Sequence, residues 1–236
     1  MGEIKRLNIE AAIAVVRDRT GIGIERIPNE FYPDDLRAFL LAIGRDMLPG
    51  KFVMDSDNSY IYENVRRWVD GNPDFEALDP VTMAYGKGDV SKGIYIAGPT
   101  GTGKTILLDV MQRYAKGLYL KFKIDGREQS LVWETYRSDE ICMDVVRTGE
   151  IDRYVRIPIL CINDIGSEPK ESLYMGNRVE VMRTILERRG DGHSRCLTLL
   201  TSNYRIDGLP YGDRVSSRLV EMCNYYELKG KDRRKI

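Results

Sequence analysis

The chain has 236 residues, 42% hydrophobic and 31% charged, enough for one large domain with its own core. Its 36 Lys and Arg balance 36 Asp and Glu, which excludes a global basic field for nucleic acid and leaves only local patches. The widely spaced Cys142, Cys161, Cys196 and Cys223 and the lone His193 exclude a Cys- or His-based metal site, and they point to reduced core thiols in a cytoplasmic protein. The N-terminus has no uninterrupted apolar run, so neither a signal peptide nor a membrane span is expected.

In chain order, Ile9, Ala12, Ile13 and Val16 share one face of a helix over 8–19, broken by Gly21-Ile22-Gly23. Pro33 opens a second helix over 33–47 that carries Leu36, Phe39, Leu40 and Ile43, and Pro49-Gly50 ends it. Ile61, Val65, Trp68 and Val69 mark a third over 58–69, and residues 79–92 read as a loop. From Gly93 onward strands and helices alternate, as in a parallel α/β sheet: strand 93–97, then helix 103–116. Two β-rich runs, 118–124 and 130–136, flank the hairpin signal Asp125-Gly126 and suggest an extra edge strand or a contacting insertion. Ser138 caps a helix to Arg147, and Pro158 leads into the apolar strand Ile159-Leu160-Cys161-Ile162. Helix 177–189, strand 196–201, helix 211–223 and a short strand 225–228 complete the chain. The expected division is a helical N-terminal extension over 1–55 and a core over 56–236.

The decisive motif is Gly98-Pro99-Thr100-Gly101-Thr102-Gly103-Lys104-Thr105, with a strand before it and Ile106 opening a helix after it. Glycines let backbone N–H groups turn inward around phosphates, and the helix N-terminus adds its positive end. Lys104 would reach the β- and γ-phosphates of ATP, and the Thr105 hydroxyl would hold Mg²⁺. The nucleotide-binding stretch runs from Gly98 through Ile106.

A second element is the strand that ends in Asn163-Asp164-Ile165-Gly166. Carboxylates at the carboxyl ends of parallel strands project into the ligand crevice, where they can order the water around Mg²⁺ and position an attacking water. A plain helix-cap Asp is the alternative reading of Asp164. Asn203, at the end of Leu199-Leu200-Thr201-Ser202, could touch the γ-phosphate or that water through its amide. Arg214 and Arg218 lie four apart on one helix face and suit phosphate recognition, or they are simply solvated.

These elements in this order resemble the AAA+ ATPases, in particular the branch of the helicase loaders DnaC and DnaI and the transposition helper IstB. The resemblance covers about residues 55–236 and rests on Asn163-Asp164-Ile165-Gly166-Ser167-Glu168, Leu200-Thr201-Ser202-Asn203-Tyr204, Gly212 to Met222, and the ending Leu228-Lys229-Gly230-Lys231-Asp232-Arg233-Arg234. It implies an AAA+ P-loop NTPase with a central parallel five-stranded sheet flanked by helices and the P-loop strand in the middle. It also implies Lys104 and Thr105 as the Walker A pair, Asn203 as sensor 1, and Arg218, before Arg214, as an arginine finger acting on a neighbouring subunit in a ring or filament.

Two departures stand out. Asn163 occupies the position where the branch usually has Asp, which weakens the donor set for Mg²⁺ (Thr105, Asp164, Asn163) and suggests slow hydrolysis. Glu168 is a backup carboxylate or an N-terminal helix charge. The short N-terminus either binds a replicative helicase or packs on the core.

Single-stranded DNA would bind weakly, and the best basic clusters are Arg183, Arg188, Arg189 and Arg195, with Lys229, Lys231, Arg233, Arg234 and Lys235. The alternative is a solvated helix end and a frayed tail. On the first reading, Arg188→Glu with Arg189→Glu lowers DNA affinity. The overall expectation is a replication ATPase of the loader kind. An IstB-like helper and an ATP-sensing adaptor with little turnover are the alternatives. A small-molecule kinase lacks an evident acceptor pocket or lid, and a GTPase lacks a base-reading Asn-Lys-x-Asp segment.

Overall fold

The computed structural model describes residues 23–169, 171–174, 177–192 and 195–234. The helix expected over 8–19, His193 and Lys235 lie outside them.

Alternation of side chains builds the centre of the molecule. In β4 (Gly93–Ala97) every residue is buried. Ile94 and Ile96 face one core, and Tyr95 and Ala97 face the other. The same division runs through β8 (Ile159–Ile165) and β11 (Leu197–Ser202), so both faces of the sheet are covered. Each fully buried aliphatic side chain here contributes roughly 1.5–3 kcal/mol relative to exposure.

The sheet has seven strands in the order β3-β2-β12-β4-β11-β8-β7, with β2 at Glu76–Leu78, β3 at Tyr85–Lys87, β7 at Glu134–Arg137 and β12 at Cys223–Glu227. The neighbours β12, β4, β11, β8 and β7 are all parallel, which gives the expected five parallel strands, and β4 lies at the middle of the sheet. The antiparallel hairpin β2–β3 extends the sheet at one edge. Strand β3 falls within the loop expected over 79–92, because Gly86 and the polar Lys87 hide the strand pattern.

Helix α1 (Pro33–Met47) starts at its proline, with Asp34 and Asp35 in the first turn opposite the helix dipole. Its buried Leu36, Leu40 and Gly44 are spaced by four, so they form one stripe. Phe39 on this helix packs on Tyr114 of α3 (Lys104–Gly117), with ring centroids 5.8 Å apart. Helix α2 (Ser59–Val69) buries Ile61, Tyr62, Val65, Trp68 and Val69, and the Trp68 indole donates to the Lys92 carbonyl at 2.8 Å. Residues 33–47 thus share the core cluster of the P-loop helix.

A separate three-stranded sheet joins β1 (Ile24–Arg26) to β5 (Lys121–Ile124) and β6 (Arg127–Ser130). Asp125 and Gly126 turn the hairpin with φ of 50° and 73°, as the Asp-Gly signal predicts. The second β-rich run is not one strand. Residues 127–130 close this hairpin, whereas 134–137 become the edge strand β7 of the main sheet.

Helix α4 (Ser138–Thr148) corrects the capping expectation. Ser138 is its first helical residue, and its hydroxyl donates across to the Asp164 carbonyl at 2.9 Å. The cap comes instead from Glu140, whose carboxylate accepts the Arg137 N–H at 3.0 Å. A short helix α5 (Ile151–Arg156) was not expected. The helix predicted over 177–189 begins later, as α6 (Val181–Asp191), because 177–179 form β10, paired with β9 (Ser172–Tyr174). Helix α7 (Asp213–Met222) then leads into β12. None of the four cysteines is in a disulfide, and burial pushes the Cys161 and Cys223 thiols up to about 12.

Candidate nucleotide site

The P-loop connects β4 to α3. Gly101 and Gly103 take φ of 84° and 98°, a region that favours glycine, and Gly103 caps the helix in the left-handed conformation. The Thr102 hydroxyl donates to the Pro99 carbonyl at 2.9 Å and tightens the loop. Lys104 is buried and curls back over the turn: its ammonium donates to the carbonyls of Gly98 at 2.7 Å and Pro99 at 2.9 Å. The same ammonium donates to Asn203 Oδ1 at 3.0 Å. Burial lowers the Lys104 pKa, and the nearby Asp164 carboxylate opposes that shift. The structure therefore brings Lys104, Asp164 and Asn203 together beyond the carboxyl ends of β4, β8 and β11. Thr105 and Ile106 stand in the first turn of α3, both half-buried. Thr100 stands at the outer turn of the loop, exposed.

Asp164 has φ of 59°, a left-handed conformation that is uncommon outside glycine. Three contacts hold it there. Its N–H donates to Thr201 Oγ1 at 3.0 Å, and its carbonyl accepts the hydroxyls of Ser138 at 2.9 Å and Ser167 at 2.5 Å. Thr201 also donates its hydroxyl proton to Asn163 Oδ1 at 3.0 Å. The Asn163 side chain is buried, and that oxygen is committed to β11. Sequence reasoning missed Thr201, which ties both acidic-strand residues to the neighbouring strand. Its position two residues before Asn203 was the only signal.

Glu168 is buried and engaged elsewhere. Its carboxylate accepts the Gly166 N–H at 2.9 Å and the Tyr211 hydroxyl. The Tyr211 oxygen in turn accepts the Gly166 N–H at 2.7 Å. Glu168 lies in a turn rather than at a helix start, so the helix-charge reading is corrected. It buttresses the turn that follows Asp164.

Arg218 stacks on Gly190 and pairs with Asp191 at 2.5 Å, across the α6–α7 contact. Arg214 is more exposed and lies 3.7 Å from Glu187. Among the described residues, neither has a hydrogen bond or ion pair to the P-loop of its own chain.

One member of the expected basic cluster is not at the surface. Arg189 is fully buried. Its guanidinium donates to Thr198 Oγ1 and to the carbonyls of Tyr154, Val155, Ile157 and Leu197, between 2.7 and 3.1 Å. It closes the C-terminal end of α5 against β11 and is not available to DNA. Arg183 pairs with Glu180 and Glu187, and Arg188 pairs with Asp152. Among the described residues, no helix is long and apolar enough to cross a membrane.

Comparison with solved structures bears on this arrangement. The chain superposes on domain III of the Thermotoga maritima replication initiation protein DnaA with a TM-score of 0.51 and 18% identity, over 88% of this chain and 72% of that one. The fold is that of AAA+ domains. A crystal structure of a DNA replication initiation factor gives a TM-score of 0.51 and 17% identity over 75% of this chain, which spans 47% of that chain's length. A DnaI crystal structure matches over 84% of this chain and 94% of its own with 19% identity, at a TM-score of 0.47, and the fold assignment rests on the other two. No protein-family model matches the sequence, and no curated protein matches it.

Proposed function

We propose that this chain binds ATP with Mg²⁺ at the P-loop and hydrolyses it slowly, as the ATPase of a DNA replication assembly factor of the helicase-loader kind. The observation that carries the reading is the meeting of Lys104 with Asn203 beside Asp164. A P-loop alone indicates phosphate; a strand-end amide and a carboxylate at the same point indicate hydrolysis. Both solved structures that support the fold are described as replication initiation factors, which favours the replication setting.

The residues present fit the nucleotide and its metal. Lys104 is held by neutral carbonyls, which phosphate oxygens would replace with charge-assisted bonds. Thr105 and Asp164 would hold Mg²⁺, with Asn163 as a neutral and weaker neighbour. Bound there, the ion would neutralise charge on the β- and γ-phosphate oxygens. Asp164 accepts the proton of the attacking water, and Asn203 orients that water through its amide. Arg218 leaves its exposed partner Asp191 to reach the ATP of a neighbouring subunit in a ring or filament. Asp191 is mostly exposed, so solvent screens the pair and it holds the half-buried Arg218 only weakly.

Residues 56–236 carry the ATPase machinery on this reading; of the extension over 1–55, α1 packs into the same core, and the surface that the extension leaves exposed contacts the helicase. Single-stranded DNA binds through the exposed arginines that remain, with Arg189 excluded. The adaptor reading, ATP binding without turnover, is favoured by one observation: Asn163 Oδ1 is already bonded to Thr201. An IstB-like role differs only in the partner.

The test is ATP hydrolysis by the wild type and Lys104→Ala, with and without single-stranded DNA, while mass is followed by light scattering. ATP-dependent assembly with DNA-stimulated, Lys104-dependent turnover is expected. Tight binding with no turnover in either condition would establish the adaptor reading, and absence of ATP binding would refute both.

A further inference from the structure

The outer side of the P-loop is occupied by the chain's own C-terminal segment. After β12 the Leu228 N–H donates to the Ala97 carbonyl at 2.8 Å, and the chain then runs alongside the loop. The loop glycines make room for it. A Cβ on Gly98 would lie 2.2 Å from the Leu228 carbonyl oxygen, and one on Gly101 would lie 2.0 Å from an Asp232 carboxylate oxygen. A Cβ on Gly103 would be 3.9 Å from Arg233 Cδ. Gly98, which meets backbone, is therefore needed for approach as well as for conformation, whereas at Gly101 the Asp232 side chain could move aside and the positive φ is what calls for glycine.

Two contacts fasten the segment. The Arg233 N–H donates to the Gly101 carbonyl at 2.9 Å, and the Arg233 guanidinium donates to Asp55 Oδ1 at 2.8 Å. Asp55 is itself fixed, because its carbonyl accepts the Ser59 N–H at 2.8 Å at the start of α2 and its N–H donates to Asn58 Oδ1 at 2.9 Å. The Arg233 hydrogen bond also holds the Asp55 carboxyl below its usual range.

The geometry of a trans peptide gives this contact its consequence. The C=O and N–H of one peptide unit point in opposite directions. With the Gly101 carbonyl drawn outward to Arg233, the N–H of the same unit, that of Thr102, is turned to the other side of the loop, where a P-loop presents its amides to phosphate. We infer that Arg233, anchored by Asp55, is a positioning residue for nucleotide binding: it sets the orientation of the Gly101–Thr102 peptide and so the aim of the Thr102 amide. This rests on the P-loop being the ATP site. It also makes the segment before α2 part of the nucleotide site, since whatever shifts Asp55 shifts the loop.

The experiment titrates a fluorescent ATP analogue against the full chain as wild type, Lys104→Ala, Arg233→Ala, Asp55→Ala, the double variant Asp55→Ala with Arg233→Ala, and the exchanged pair Asp55→Arg with Arg233→Asp. Melting temperatures without nucleotide are recorded for each, and the Thr102 amide is followed by ¹⁵N–¹H NMR. Each single alanine variant should weaken binding about tenfold, the double no more than either single, and the exchanged pair should recover most of the loss. The Thr102 amide resonance should shift in Arg233→Ala before any nucleotide is added.

Wild-type affinity in Arg233→Ala would overturn the inference while leaving the ATP site standing. So would losses that add in the double variant, or a loss that tracks a fall in melting temperature and that the exchange does not recover. A wild type that fails to bind the analogue would overturn the ATP site itself, and this inference with it.

Discussion

The Lys104 ammonium donates a 3.0 Å hydrogen bond to Asn203 Oδ1, joining the P-loop to the end of β11 across 99 residues of sequence. The contact places a cation for phosphate and an amide for water in one crevice. Removing either end should then have different effects. Lys104→Ala should abolish measurable ATP binding, at least about a hundredfold, because a buried charge-assisted contact is lost. Asn203→Ala should leave ATP affinity within about threefold and lower turnover by ten- to a hundredfold, as expected for a group that acts on the attacking water. Equilibrium binding and single-turnover hydrolysis separate the two, and equal loss of affinity in both variants would contradict the assignment.

The site was legible in the sequence where its elements are local. The P-loop announces itself through glycine spacing, and the strands before Asp164 and Asn203 through continuous apolar runs that end in polar residues. What the sequence could not show depends on contacts between distant segments. Nothing near Glu168 signals that Tyr211 will claim it, and nothing near Arg189 says that four carbonyls from two elements will surround it. An arginine beside another arginine at a helix end looks solvated. Only the tertiary packing of α5 under α6 removes it from the surface. The 130–136 run failed for a related reason: β propensity marks strands but does not say which sheet each half joins.

Arg189 offers a direct stability test. Arg189→Met keeps much of the volume and leaves the carbonyls of Tyr154, Val155, Ile157 and Leu197 without their donor. Loss of a buried charged donor of this kind costs about 3 kcal/mol or more. For a domain of this size that corresponds to a fall of roughly 6–12 °C in melting temperature. Arg188→Glu should change it by less than about 2 °C, since its pair with Asp152 is exposed. Calorimetry on the two single variants checks this, and any DNA-binding loss from the combined variant has to be read against it.

Glu168 and Asp164 are distinguished by what surrounds them. Glu168→Gln keeps one of the two acceptor oxygens and turns the other into an amide donor, but the Gly166 N–H also has the Tyr211 oxygen, so the turn is held and turnover should stay within about threefold of wild type. Tyr211→Phe removes the hydroxyl between them and should cost about 1–3 kcal/mol of stability. Asp164→Asn, by contrast, should lower turnover by at least about a hundredfold and weaken the Mg²⁺ dependence of ATP binding, because the proton acceptor and an anionic Mg²⁺ donor are lost together. Steady-state phosphate release checks Glu168→Gln and Asp164→Asn, and thermal or denaturant unfolding checks Tyr211→Phe. A hundredfold loss in Glu168→Gln would move the base from Asp164 to Glu168.

Asn163 is the position from which turnover could be gained. Its Oδ1 accepts the Thr201 hydroxyl proton, and an aspartate there would accept the same proton with the same reach. Asn163→Asp therefore keeps the tie between β8 and β11 and should move the melting temperature by only a few degrees. What it adds is an anionic oxygen beside the proposed Mg²⁺ donors Thr105 and Asp164, and hard dications favour charged oxygen ligands. The expected result is tighter Mg²⁺ dependence of ATP binding and turnover raised about tenfold. The added charge also lies on the strand that carries Asp164, so carboxylate repulsion works against it when the metal is absent. The variant should thus bind ATP less well than wild type in EDTA and better with Mg²⁺. Isothermal titration under both conditions, paired with phosphate release, checks the sign of each effect. Unchanged turnover with unchanged Mg²⁺ dependence would mean that residue 163 serves the sheet alone.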